Sequence, residues 1–418
     1  MKRIATSVAA ALMLQACATN PPMTSTPAAA PPHSSSTARQ QISEALESGD
    51  RAQVTRGVID LAAMGGALSD ASFDRVTPLL DPATLGDPRA WYGLQPSAGL
   101  AQLRSRFHDN ALVEMPPAAD LVATVPAEYR LVEGIAWDAA RKRLFVSTVI
   151  DGRLAYLENG AWHEVQIASP RGGLFGMSVD RKRRLLWIAT GVLDQVAVTG
   201  ERMTGLIAVD LDTLKVVRRV PVTDPKPGMV GDLTVAPDGT VFASNSVSGA
   251  IHRCRPGCTE LEALVPAGRF NSPQGLALSP RGDRLYVADY DSGLWMVDTT
   301  TGAVSPFRVA QPIMLDGIDG LIAAQTGGAL IAIQNGTRPR RILKLYPSSH
   351  RGPDTQVTVL RRLSPEGPEP TLGTLVGGYL YYVGDAQWER YGPAGAIKDG
   401  QPARGTPIYR IAVTNIAT

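Results

Sequence analysis

The chain has 418 residues, more than one average domain needs, and its 41 Lys and Arg nearly balance 39 Asp and Glu. Scattered charges of this kind exclude the footprint of a nucleic-acid binder, and the short basic run Arg181-Lys182-Arg183-Arg184 falls between two predicted strands, where it reads as a solvated hairpin turn. With 41 Gly, 32 Pro and many short runs of Val, Leu and aromatic residues, the composition suits numerous strands joined by tight turns.

The chain begins with Lys2-Arg3, an apolar stretch from Ile4 to Leu14 too short to span a bilayer, and then Leu14-Gln15-Ala16-Cys17. This pattern resembles a bacterial lipoprotein signal over residues 1–17, which implies cleavage before Cys17 and acylation of its thiol. Ala18, rather than Asp, then implies sorting to the outer membrane, with the protein lipid-anchored in the cell envelope and facing the periplasm. A plain secretory signal cut at Ala-Cys-Ala is the alternative.

Residues 18–36 are Pro, Ala, Ser and Thr with almost no charge or bulk, too little apolar surface to offset ordering entropy, so a disordered tether is expected. Over 37–115 the pattern turns helical. Ile42, Leu46, Val54, Val58, Leu61 and Ala62 recur at helical spacing, Ser69, Asp70 and Asp81 offer helix starts, and Gly65-Gly66, Pro78 and Pro82 break the region into short pieces. No chemistry is visible there, and a small helical cap or partner-binding module is the expectation.

The rest of the chain repeats itself. Six windows share one grammar: EGIAWDAARKRLFVST from Glu133, FGMSVDRKRRLLWIAT from Phe175, GDLTVAPDGTVFASN from Gly231, QGLALSPRGDRLYVAD from Gln274, DGLIAAQTGGALIAIQ from Asp319 and LGTLVGGYLYYVGD from Leu372. Each has a variable opening residue, followed by Gly in five of the six, then an apolar strand, a turn and a second apolar strand. Each window is therefore a predicted hairpin, and with the strand-like stretch that follows it makes a blade-sized unit. The expected fold is all-β, a six-bladed β-propeller over 120–415, preceded by a small all-α region.

In such hairpins the opening residues ring one mouth of the central channel. Glu133, Gln274 and Asp319 bring two carboxylates and an amide to that ring, and an all-oxygen set suits a hard divalent ion, Ca²⁺ before Mg²⁺. Asp232 and Asn271 offer further oxygens nearby, and Asp289 closes the fourth hairpin, so Asn271 and Asp289 are candidate substrate contacts. After the last hairpin, Trp388 and Tyr391 stand among acids and amides in a stretch suited to holding a polar ring.

Windows such as SPQGLALSPRGDRLYVADYDSGLWMVD and VEGIAWDAARKRLFVS resemble the SMP-30/gluconolactonase/LRE-like family over about Ala127 to Ala412. The resemblance implies a divalent-metal-dependent lactonase or esterase, with Glu133 and Asp319 matching metal-binding positions and Gln274 replacing an Asn. It departs at Gly231, where another Asn ligand would stand, and at Phe175, where paraoxonase-like relatives place a His; Phe175 becomes a candidate substrate contact instead. Hydrolysis would then need Asp232 or Asp319 as base, with Asp232 alternatively a fourth ligand. A non-catalytic propeller binding a small molecule or an envelope protein is the second expectation, with no nucleic acid in either. Cys254 and Cys258, separated by Arg-Pro-Gly, are expected to form a small-loop disulfide on the rim of the third blade.

Overall fold

The structure is a computed structural model that describes residues 35–86, 99–112, 119–223, 228–309, 313–324, 328–347, 356–363, 368–398 and 400–413. The signal stretch, Cys17 and the tether up to residue 34 lie outside these residues. Helix α1 runs Ser35–Ser48, so it takes in the last residues of the stretch assigned to the tether. The reason lies far away in the chain: the Ser35 backbone N–H finds a buried acceptor in Asp316, 3.0 Å distant.

Helices α2 (Arg51–Ala63), α3 (Asp70–Val76), α4 (Pro82–Leu85) and α5 (Gly99–Ala111) follow. The middle three start on side-chain oxygens: Asp50 accepts from Gln53 N–H, Ser69 from Ser72 N–H, and Asp81 from Ala83 and Thr84 N–H. Caps of this kind contribute about 1 kcal/mol each. The periodic residues Ile42, Val54, Val58, Leu61 and Ala62 face inward with Phe73, Leu103 and Phe107, while Leu46 is only partly buried.

Each predicted hairpin is the inner pair of a four-stranded antiparallel sheet, and six such sheets make the ring. Blades 1 to 5 are built from consecutive strands over 132–165, 173–221, 230–265, 273–306 and 318–363. Blade 6 takes Gly373–Val376, Tyr379–Val383 and Thr406–Ala412, and borrows its outermost strand, Asp120–Val125, from ahead of blade 1. That loan closes the ring, because the two ends of the propeller then share one ladder, from Asp120 opposite Arg410 to Val125 opposite Thr406. The inner strands follow one another around the axis, with that of blade 1 meeting that of blade 6.

Alternation along the strands fills the space between blades. Between blades 1 and 2, for example, Phe145, Leu154, Leu174, Leu186 and Ile207 are fully buried together. Each such side chain is worth about 1.5–3 kcal/mol of transfer free energy. The basic run is indeed a turn, and its last two charges are matched: Arg183 reaches Asp180 at 3.0 Å, and Arg184 reaches Asp138 at 2.7 Å and Asp212 at 2.9 Å, tying blade 2 to its neighbour and to itself.

Candidate functional site: an acidic mouth on the propeller axis

The inner hairpins of five blades slip register at the same place: between Val132 and Ile135, Leu174 and Met177, Val230 and Leu233, Pro273 and Leu276, and Ile318 and Gly320. A bulge re-aims the residues it leaves unpaired. Those residues include the window openers Glu133, Phe175, Gly231, Gln274 and Asp319. The glycine after the opener has a packing cause, since a Cβ on Gly134 would lie 2.1 Å from the carbonyl oxygen of Phe175 in the next blade. Inner strands this close leave room for nothing larger. Blade 3 alone carries a side chain at this position, Asp232, and it fits because the facing residue of blade 2 is Gly176, whose Cβ would meet Asp232 Oδ1 at 2.2 Å.

The result is a line of carboxylates around the axis. Glu133 is 6 % exposed, and its Oε2 accepts a hydrogen bond from the Trp388 indole N–H at 2.8 Å. Asp319 keeps some surface toward the channel while enclosed by protein, and its Oδ2 accepts from Asn335 Nδ2 at 2.7 Å. Burial pushes Glu133 well above the usual carboxylate range, and the Asp319 carboxylate adds to this. Burial likewise raises Asp319 to about 7, offset in part by Asn335 and reinforced by Glu369. Asp232 is raised to about 8, again chiefly by burial, although the backbone N–H groups of Leu233 and Leu276 act against the shift. The groups bearing on Glu133 and Asp319 are thus neutral donors and other acids.

Several residues picked from sequence are placed differently. Phe175 is 1 % exposed and packs in the core with Leu131, Val230 and Tyr391, so it is not offered to a ligand. Tyr391 is equally buried, leaving Trp388 as the aromatic at the mouth. Asp289 spends its oxygens as a loop staple, accepting from Asn271 N–H, Ser272 N–H and the Ser292 hydroxyl, and Asn271 itself is exposed. Gln274 stands at the ring, with its Oε1 accepting from the Ser246 hydroxyl at 3.1 Å and its Nε2 donating to Ser272 Oγ at 3.0 Å. Asp232 accepts from Leu276 N–H at 3.4 Å and borders a cavity of about 210 Å³ on the opposite side, lined also by Trp137, Val179, Thr234, Ile322 and Leu375. A space that small admits water and ions rather than a sizeable organic ligand. Cys254 and Cys258 are joined in a disulfide with Cα atoms 5.5 Å apart, on the third and following stretch of blade 3 and away from the mouth.

Two residues of the mouth escaped the sequence reading. Asn335, which orients Asp319, stands one place beyond the fifth hairpin and is held by Tyr290 O–H at 3.0 Å and by its own bond to Pro370 C=O at 2.8 Å. Glu369, in the Pro368-Glu369-Pro370 link before the sixth hairpin, raises both Glu133 and Asp319 and is itself raised by burial. The proline pair around Glu369 was the available signal, since it fixes the backbone of a residue about to enter the ring.

Donor chemistry at the mouth fits a divalent cation of the open, water-rich kind. Glu133 and Asp319 supply anionic oxygens and Gln274 a neutral one, and a Ca²⁺ ion takes six to eight, so water or a ligand would complete the shell. Among the described residues no three His, Cys, Asp or Glu side chains are gathered closely enough to form a ready cage.

The fold and site define a six-bladed β-propeller with an acidic axial mouth and a docked helical region. The chain is similar in structure to a gluconolactonase from Xanthomonas campestris, at 16% identity and a TM-score of 0.47, over 72% of this chain and 99% of that one. It is also similar to the calcium-binding protein regucalcin from Agrobacterium tumefaciens, at 17% identity and a TM-score of 0.48 over 70% and 93% of the two chains. A third likeness is to the PQQ-bound aldose sugar dehydrogenase from Streptomyces coelicolor, at 16% identity and a TM-score of 0.45 over 71% and 99%. No protein-family model matches the chain, and no curated protein matches it.

Proposed function

We propose that this protein is a divalent-cation-dependent hydrolase of lactones or related esters, with Ca²⁺ the first choice of ion. One observation carries the reading: two buried carboxylates, Glu133 and Asp319, share a mouth with neutral donors and further acids. Such a pair cannot keep both charges in a poorly solvated site unless protons or a cation compensate them.

Glu133, Asp319 and the Gln274 amide oxygen hold the ion; when bound, the cation supplies polarisation of the ester carbonyl. Trp388 fixes Glu133 through its indole N–H and Asn335 fixes Asp319 through its amide, so both carboxylates are aimed before substrate arrives. Asp232, near 8, is matched to proton transfer around neutral pH and takes the proton of the attacking water. As the carbonyl C–O bond breaks, that proton passes to the departing alkoxide oxygen, giving a hydroxy acid. The cavity bordering Asp232 supplies water from the opposite side.

A second reading, a non-catalytic propeller that binds a small molecule or an envelope protein, draws on Phe175, whose buried ring stands at the position of a possible histidine base and cannot transfer a proton. Lipid attachment at Cys17, and with it a place in the cell envelope facing the periplasm, is proposed on the Leu14-Gln15-Ala16-Cys17 pattern. Assay of the purified protein against aliphatic lactones and aryl esters separates the two readings. Turnover that chelation removes and that Asp319→Asn lowers by about a hundredfold or more supports the hydrolase. No turnover with Ca²⁺, Mg²⁺, Mn²⁺ or Zn²⁺ leaves the binding propeller.

A further inference from the structure

The helical region and the mouth are joined by a series of hydrogen bonds, several of them buried, linked through short stretches of backbone. At its outer end Asp316, fully buried, seats the start of α1: the Ser35 N–H donates to its Oδ1 at 3.0 Å, and the Ser35 hydroxyl and Arg39 Nη2, the latter at 2.9 Å, donate to its Oδ2. The Asp316 carbonyl accepts from Gln334 Nε2 at 2.6 Å, and the same nitrogen reaches Met314 C=O at 3.1 Å. Gln334 Oε1 accepts from Arg341 Nε at 2.7 Å, and Arg341 Nη2 donates to Met314 C=O at 2.9 Å. Next along, Gly317 N–H donates to Tyr290 C=O at 2.6 Å and its carbonyl accepts Gly336 N–H at 3.0 Å. The line ends at Asn335, gripped by the Tyr290 hydroxyl at 3.0 Å and donating to Asp319 at 2.7 Å.

The backbone adds two more ties, from Ala67 N–H to Arg338 C=O at 2.8 Å and from Met314 N–H to Met64 C=O at 3.3 Å. The helices therefore grip both segments that frame Asp319, the one leading into it and the turn after the hairpin that carries Asn335. The Asp316 carboxyl is fully buried, and its oxygens are met by the Ser35 donors and Arg39 at the start of α1. Without those donors its buried oxygens lose their partners, and water can replace them only if the loop opens. Asp319 lies only three residues further on.

We propose that the helical region is the positioning element of the mouth: Ser35 and Arg39, which touch no ring residue, act through Asp316, Gln334 and Asn335 to hold Asp319 in its working orientation. This rests on reading the mouth as a cation site, and the experiment separates the two. In the intact chain, Ser35→Ala combined with Arg39→Met is compared with Arg39→Lys, with Gln40→Ala on the exposed side of α1 as control. Calcium affinity is measured by calorimetry, and amide hydrogen exchange is followed at 313–320 and 334–336. The double variant is expected to weaken Ca²⁺ binding and speed exchange in both segments by about tenfold, with inner strands of blades 1 to 3 unchanged. Arg39→Lys should recover part of the loss and Gln40→Ala should match the parent. Faster exchange in α1 alone, with both segments and the affinity as in the parent, overturns the proposal. Should the parent bind no Ca²⁺, the cation reading falls, and the exchange pattern alone upholds or overturns the positioning role.

Discussion

Replacing Asp232 by Asn tests the electrostatics of the axis through stability. The Asp232 carboxyl sits near 8 in the folded protein against an ordinary value of 3.8. A folded-state pKa raised above the unfolded value means stability that is fully present below about 4 and is lost as pH rises toward 8. Each pH unit inside that window removes about 1.4 kcal/mol. Between pH 5 and pH 7 the parent should therefore lose about 3 kcal/mol that Asp232→Asn does not, because the amide keeps an acceptor for the Leu276 N–H and carries no charge. Neighbouring acids titrate in both proteins, so the difference between the two isolates Asp232. Urea unfolding of chelator-treated parent and variant at pH 5, 6, 7 and 8 measures it. The variant should be no better than the parent at pH 5 and gain steadily up to pH 8. A stability difference that does not vary with pH would show that Asp232 is ionised and solvated at all these values, and the account of a poorly solvated, acidic axis would fail.

Gly134→Ala forces a Cβ to 2.1 Å from a backbone oxygen of the adjacent inner strand, so it should destabilise the propeller by more than about 3 kcal/mol in the same unfolding assay. A shift below about 1 kcal/mol would mean that the inner strands separate readily. Cys17→Ser should abolish lipid labelling and release the chain from the membrane fraction; unchanged partitioning would remove the anchor.

The propeller was legible because its inner hairpin is repeated: five bulges at matching positions and a Gly forced by strand contact leave the same mark in window after window. The closing strand Asp120–Val125 left no such mark, since as the outermost strand of blade 6 it has its exposed Leu121 in place of an apolar alternation. At the site, ring openers such as Glu133 and Asp319 could be read from their place in the repeat. Asn335 could not, because it stands just outside a window and reaches the mouth only through three-dimensional packing, and Glu369 was marked only by the prolines on either side of it. Phe175 and Tyr391 misled because their positions point to the mouth while their apolar rings turn into the core beside it. The seat of α1 was beyond any local pattern, depending on a bond between residues 281 positions apart.

The central claim is that Glu133 and Asp319 share one cation in place of protons. Calcium titrated into chelator-treated protein at pH 6, in two buffers of different ionisation enthalpy, measures both binding and the protons displaced. With Asp319 near 7 and Glu133 also raised, by burial and by Asp319, each ion bound at pH 6 should release about one proton or more, with the release shrinking as pH rises past 8. Asp319→Asn should lose the binding and the proton release together. Binding without proton release, or no binding at any pH, would contradict the account.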